Sequence, residues 1–175
     1  MAVRHGEGEA SWQGLHGVRL ATEKLFAVCS PSVLRKKSRG LTAADVLNLP
    51  LLHLDDYSGW QRWLEESKIK APKSLQGIVL NRASMVIDAA INGQGIGLAR
   101  STLAAWDLIN QRLVAPFRIS MPLKTAYWIV APQATADLPK IVTFRNWLLA
   151  EAAADRKQVG SLAATTRRPA TRAST

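Results

Sequence analysis

Gly93, Gly95 and Gly97 are the first residues of this 175-residue chain that could do chemistry, because closely spaced glycines can cradle a dinucleotide phosphate. That loop needs a strand before it, a helix after it and a third glycine where position 98 holds Leu. The pattern here runs helix, glycines, strand, so a helix stop is the better reading. His5, His16, His53 and Cys29 have no metal-ligand spacing, and no metal or cofactor is expected. Cys29 sits in an apolar run, where it reads as an inert small hydrophobe. Asp55 with Asp56, and Glu65 with Glu66, are adjacent pairs whose side chains point apart on a strand or helix, so neither pair can share a substrate. The six tryptophans, at 12, 60, 63, 106, 128 and 147, could stack on bases or sugars, but the helical spacing of Trp60 and Trp63 favours a core. Arg35, Lys36, Lys37 and Arg39 could touch phosphate without reading sequence. No nucleophile, base and orienting group can be assembled from these motifs, so the chain is not expected to be an enzyme.

The elements that must position these residues alternate between short apolar runs and amphipathic stretches, the pattern of an α/β domain with helices on a mostly parallel sheet. Strands are predicted over 25–29, 51–54, 75–80, 96–99, 112–117 and 125–131. Thr42 with Asp45 reads as a capping box, with Leu41 and Val46 as its hydrophobic staple, and Ser58 with Gln61 as a second box. The second box opens a helix that presents Trp60, Trp63 and Leu64 and ends near Ser67. Further helices are predicted from about Ser84 to Asn92 and, capped by Ser101, to about Asn110. Pro139 opens the last helix, with Ile141, Phe144, Leu148 and Ala152 on one stripe.

Composition narrows the class. Hydrophobic residues make up 47% of the chain, enough for a real core, and no run of about 18 apolar residues offers a membrane span. The first ten residues lack a secretory signal, which points to the cytoplasm. Eighteen of the 23 basic residues and all 13 acidic ones precede Arg156, so the formal charge of +10 divides equally between the body and the last twenty residues. Rich in Ala, Thr, Ser and Arg, residues 157–175 are expected to form a disordered basic tail.

Four segments taken together resemble the effector-binding region of LysR-type transcriptional regulators. They are MAVRHGEGEASWQGL, LFAVCSPSVL, the stretch SMVIDAAINGQGIGLARSTLAAWDLINQRLVAPF, and AYWIVAPQ followed by PKIVTFRNWLLAEA. The similarity is greatest to the subgroup of the glycine-cleavage activator and the β-lactamase regulator, and it covers residue 1 to about residue 156. The resemblance implies an α/β periplasmic-binding-protein-like type II fold. Its second subdomain, 30–124, would be complete; its first would be partial, made of 1–29 and 125–156. Residues 25–29 and 125–131 would lie in the two crossing strands between subdomains. Members of the family begin with a winged helix-turn-helix that this sequence lacks, so the chain is expected to be an N-terminally truncated sensor. DNA would be met only through the missing domain of the parent, itself expected to be a homo-oligomer.

By the same resemblance, a small molecule would bind between the subdomains. Ser84 matches the second Ser of a subgroup motif, Asn-Asp-Ser-Ser, which here reads Asn81, Arg82, Ala83, Ser84. Tyr127 matches an effector-contacting tyrosine on the returning crossing strand, and Arg4 is expected near the cleft. A cation at a helix N-terminus opposes the helix dipole, costing about 0.3–1 kcal/mol unless an anion lies nearby. Arg82 beside open N–H groups therefore suggests an anionic effector. The rival readings are that Ser84 caps its helix, Tyr127 only packs, and Arg4 and Arg82 are surface charges. At the level of the chain, the rivals are a solute-binding protein of the same fold and a basic nucleic-acid-binding module without sequence preference.

Overall fold

The computed structural model describes residues 1–8, 13–35 and 41–165, with backbone alone over 161–165. Its strands are β1 (Ala2–Gly6), β2 (Leu15–Cys29), β3 (Leu51–Leu54), β4 (Gly77–Leu80), β5 (Ile96–Arg100) and β6 (Ser120–Pro132). Its α-helices are α1 (Pro31–Arg35), α2 (Ser58–Glu66), α3 (Ala83–Ile91), α4 (Ser101–Ile109) and α5 (Pro139–Thr165). The six strands form one sheet in the order β1-β6-β2-β5-β3-β4. Only β3 with β4 and β3 with β5 pair in parallel; the other three pairings are antiparallel, which corrects the expectation of a mostly parallel sheet.

The correction comes from β2 and β6, which are far longer than the apolar runs at 25–29 and 125–131. They pair antiparallel from Leu15 against Pro132 to Phe26 against Ser120, with register shifts between Arg19 and Ala21 and between Thr22 and Lys24. Arg19, Glu23 and Lys24 interrupt the apolar pattern of β2, yet residues 15–26 pair along one edge with β6 and residues 25–29 along the other with β5, so the backbone stays extended throughout. The strand expected over 112–117 does not form. Pro116 removes a donor there, and a single bridge joins Val114 to Cys29, with N–H to O distances of 2.9 and 3.1 Å.

Alternation along the strands divides the interior in two. Leu51, Cys29, Ile96 and Leu98 face α2 and bury Trp60, Trp63 and Leu64, each 1% exposed or less. Trp60 meets Trp63 edge to face at 5.4 Å and donates its indole N–H to the Leu52 carbonyl at 3.0 Å. Leu52, Val28 and Ala99 face the other way and pack with Val86, Ala90, Ala104 and Leu108 of α3 and α4. Close approach explains two of the glycines. A Cβ on Gly97 would lie 2.5 Å from Val86 Cγ1, and one on Gly95 would lie 2.3 Å from the Pro50 carbonyl oxygen. Gly93, at φ +72°, turns the chain out of α3 as a helix stop should.

The caps differ in detail. Thr42 and Asp45 do pair, with the Asp45 carboxylate accepting the Thr42 N–H at 2.8 Å, but they open a 3-10 turn over Ala43–Asn48. Ser58 is the first residue of α2 and not its cap; the Asp56 carboxylate accepts the Ser58 N–H at 2.8 Å and its hydroxyl at 2.6 Å. Ser101 likewise begins α4, whose N-cap is Arg100, and its hydroxyl accepts the Lys24 N–H at 3.1 Å. Arg35 ends α1, while Lys36, Lys37 and Arg39 lie outside the described residues. Helix α5 starts at Pro139 as expected but continues to Thr165, into the stretch expected to be disordered; residues 166–175 fall outside the description. Near its far end Val159 packs against the α3 and α4 cluster. Phe144 and Trp147 remain 48% and 52% exposed, stacked on each other at 5.4 Å.

His53 is 1% exposed between Tyr57, 4.5 Å away ring to ring, and the backbone of Gly77. Neither ring nitrogen reaches full hydrogen-bond geometry with a partner among the described residues, and the Gln76 backbone approaches the ring only loosely. Burial pushes its pKa below the ordinary 6.5, offset only in part by the Gln76 backbone and the Asp56 carboxylate. The unfolded chain therefore takes up this proton first as pH falls, and the stability present above pH 6.5 is lost on acidification. His53→Gln should flatten this part of the pH dependence, measured as urea midpoints at about pH 7.5 and about pH 5. An unchanged slope would show that His53 does not carry it.

Candidate functional site

Strands β3, β4 and β5 run in the same direction, and each leads into a helix, so the N-termini of α2, α3 and α4 open along one edge of the sheet. In open α/β sheets this carboxyl edge is where ligands bind. The last residue of β5, Arg100, pairs in register with Leu25 of β2, just beyond the second register shift. Across the crossing strands, Tyr127 of β6 lies opposite Ala21 of β2 on one side and His5 of β1 on the other.

These registers gather four polar side chains from four strands: His5, Glu23, Arg100 and Tyr127. Glu23 is 2% exposed, with its Oε2 3.0 Å from His5 Nε2 and its Oε1 without a hydrogen-bond partner among the described residues. Arg100 Nη1 stands 3.4 Å from the same His5 nitrogen. The His5 ring lies 5.0 Å from the half-buried Tyr127 ring at a 56° tilt. Burial first, and then the Glu23 carboxylate, push the Tyr127 phenol above its ordinary pKa of 10.0, while Arg100 pulls it back part of the way. One imidazole nitrogen thus stands between a carboxylate and a guanidinium. If it donates to Glu23 it has no lone pair for Arg100.

The residues singled out in the sequence fall in different places. Tyr127 belongs to this cluster. Ser84 is the second residue of α3, exposed, and does not cap the helix; the N-cap is Arg82, in extended backbone and without a side-chain cap. The first turn of α3 therefore presents the N–H groups of Ala83 and Ser84 with no helix carbonyl behind them. Arg82 is exposed and pairs with no carboxylate among the described residues. Arg4 lies on the edge strand opposite Trp128, and pleating turns it to the face of β1 opposite His5, away from the cluster. Trp128 there also carries Arg19, whose guanidinium sits 4.9 Å from the ring centre.

His5, Glu23 and Arg100 escaped the sequence reading. The available signal was an acid inside a long strand, visible only once residues 15–24 are recognised as strand. Cys29 is fully buried, and burial raises its thiol to about 12, so it carries no thiolate at neutral pH. Trp60, Trp63 and Trp128 are core residues, Trp106 and Trp147 are exposed, and Trp12 lies outside the described residues.

Comparison with known proteins gives a consistent picture. Residues 1–153 match the family model described as LysR substrate binding domain. The glycine cleavage system transcriptional activator of Escherichia coli (strain K12) is 34% identical over 158 residues, covering 90% of this chain and 51% of that protein. The HTH-type transcriptional activator AmpR of Pseudomonas aeruginosa is 27% identical over 157 residues, covering 89% of this chain and 51% of that protein. Among solved structures, the AmpR effector binding domain from Citrobacter freundii superposes with a TM-score of 0.66 at 26% identity, over 86% of this chain and 73% of that one. The chain spans about half the length of the curated relatives it matches.

The cluster predicts its own titration. In a Tyr57→Phe background, which leaves Tyr127 as the sole tyrosine, phenolate absorbance should rise above the ordinary 10.0. Glu23→Gln should bring that midpoint down, and Arg100→Gln should move it further up. A midpoint indifferent to both changes would mean that the three groups do not share one field.

Proposed function

Because this chain belongs to the LysR substrate binding domain family, we propose that it is the sensing half of a transcriptional regulator and binds a small anionic effector at the carboxyl edge of its sheet. One observation carries the reading. Tyr127, in a polar cluster drawn from four strands, pairs with Ala21, four residues along β2 from the Leu25 that faces Arg100, and so lies beyond the carboxyl ends of the parallel strands, the side toward which the uncapped α3 N-terminus with Ser84 and Arg82 opens. Open N–H groups and a hydroxyl at a helix start favour a carboxylate or phosphate, and Arg82 at the rim adds a salt-sensitive attraction. Arg4, turned to the other face, contributes least. The relatives are named as transcriptional regulators, which supports a binding role over catalysis.

The cleft lies between a second subdomain, residues 30–124, and a first made of 1–29 and 125–156, with β2 and β6 crossing between them. Effector binding favours one relative arrangement of the two and so biases how a DNA-binding domain outside this chain is presented in a homo-oligomeric parent. A regulator that meets DNA acts in the cytoplasm; no described helix is long and apolar enough to cross a membrane.

The test is a regulator in which this chain is joined to an N-terminal half taken from a relative. Ser84→Ala should weaken effector binding by about 1–3 kcal/mol if its hydroxyl serves a buried charge. Tyr127→Phe should do the same, and Arg82→Ala should lose affinity mainly at low salt. Effector-dependent footprints on operator DNA that match the parent for all three variants would sink the assignment.

A further inference from the structure

Arg100 differs from every other arginine considered for the cleft in being half-buried at a strand end where four strands contribute polar groups. A guanidinium carries five N–H donors and cannot shed its charge. Yet Arg100 pairs with no carboxylate among the described residues, although Glu23 is close enough to shift the same tyrosine. His5 is the reason: its Nε2 holds Glu23 Oε2 at 3.0 Å and stands between the acid and the guanidinium, 3.4 Å from Arg100 Nη1. The Tyr127 hydroxyl is the remaining acceptor on which Arg100 acts. Most of its donors therefore have no protein partner among the described residues, and its planar fork stays free for an oxyanion.

Arg100 is also the N-cap of α4, so the free N–H groups of that nine-residue helix follow directly on it in the chain. The buried Glu23, with Oε1 unpartnered among the described residues, supplies the countercharge that makes a half-buried cation tolerable in the empty site. Building on the cleft reading above, we propose that Arg100 is the anchor for the anionic group of the effector, a carboxylate or phosphate, and that His5 is a positioning residue that keeps Arg100 from closing onto Glu23. Arg82, exposed at the start of α3, then has only a rim role.

This assignment has a diagnostic sign. An arriving oxyanion is attracted by Arg100 and repelled by Glu23, so removing the Glu23 charge must tighten binding, which a purely structural role for the cluster would not do. The experiment titrates the full chain with sodium acetate and, separately, inorganic phosphate at constant ionic strength, following amide chemical shifts. Arg100→Gln should weaken the preferred anion about tenfold or more, Arg100→Lys less because it keeps charge but loses the fork, and Glu23→Gln should strengthen it. Arg82→Gln should cost only the part that salt removes. The stronger of the two anions names the oxyanion class. Retained Arg100 and Glu23 variants give native shift dispersion, and Arg100→Lys reports on the site even if Arg100→Gln fails to fold. No saturable binding by the unsubstituted chain, or equal affinity for Arg100→Gln, overturns the proposal. If Ser84→Ala alone then loses binding, the cleft reading survives without Arg100; if neither substitution matters, both fall.

Discussion

The antiparallel ladder between β2 and β6 is the interaction on which the rest of this structure depends. At fifteen and thirteen residues these strands are the longest in the sheet, and β2 alone pairs with both β6 and β5. It thereby joins the antiparallel part of the sheet to the parallel part. Its two register shifts flank Ala21 to Thr22 and the stretch holding Glu23, at the point where β1, β5 and β6 deliver His5, Arg100 and Tyr127. A bulged strand twists more sharply and re-aims its side chains, so the irregularity that breaks the apolar pattern also gathers the polar groups.

The parallel half solves a different problem. Two helical layers must reach the backbone of β3 and β5 closely enough to exclude water, and the sequence supplies glycine where contact is tightest. Gly97 admits Val86 of α3, and Gly95 admits the carbonyl of Pro50. With two large indoles on one face and mainly small aliphatic side chains on the other, β3 and β5 are covered on both sides, while Ile78 and Val79 of the edge strand β4 stay exposed.

Much of this was legible in the residues. The spacing of Trp60, Trp63 and Leu64 identified α2 and its buried face, Gly93 marked the end of α3, and residues 51–54 coincide with β3. Strand length and direction were not legible, because apolar runs report burial, while β2 and β6 extend through segments where charged side chains project from a backbone paired strand to strand. The same limit hid the site. Tyr127 and Ser84 came from family resemblance, but Glu23, His5 and Arg100 are separated widely in sequence and meet only through register. Caps were misplaced by one or two residues because serine hydroxyls found other partners: Ser58 gives its hydrogen bonds to Asp56, and Ser101 receives the backbone of Lys24.

Helix α5 has a mechanical meaning. At 27 residues it is about 40 Å long, at a rise of 1.5 Å per residue. It begins just after β6, packs on α4 and β2, and brings its Val159 against the cluster under α3 and α4. Seen from its Pro139 end it is a pointer: one degree of rotation moves the other end by about 0.7 Å, the width of half a covalent bond. Because Val159 holds the far end against the cluster under α3 and α4, that lever is pinned, and the helix fixes the end of β6 and the helical layer at one spacing.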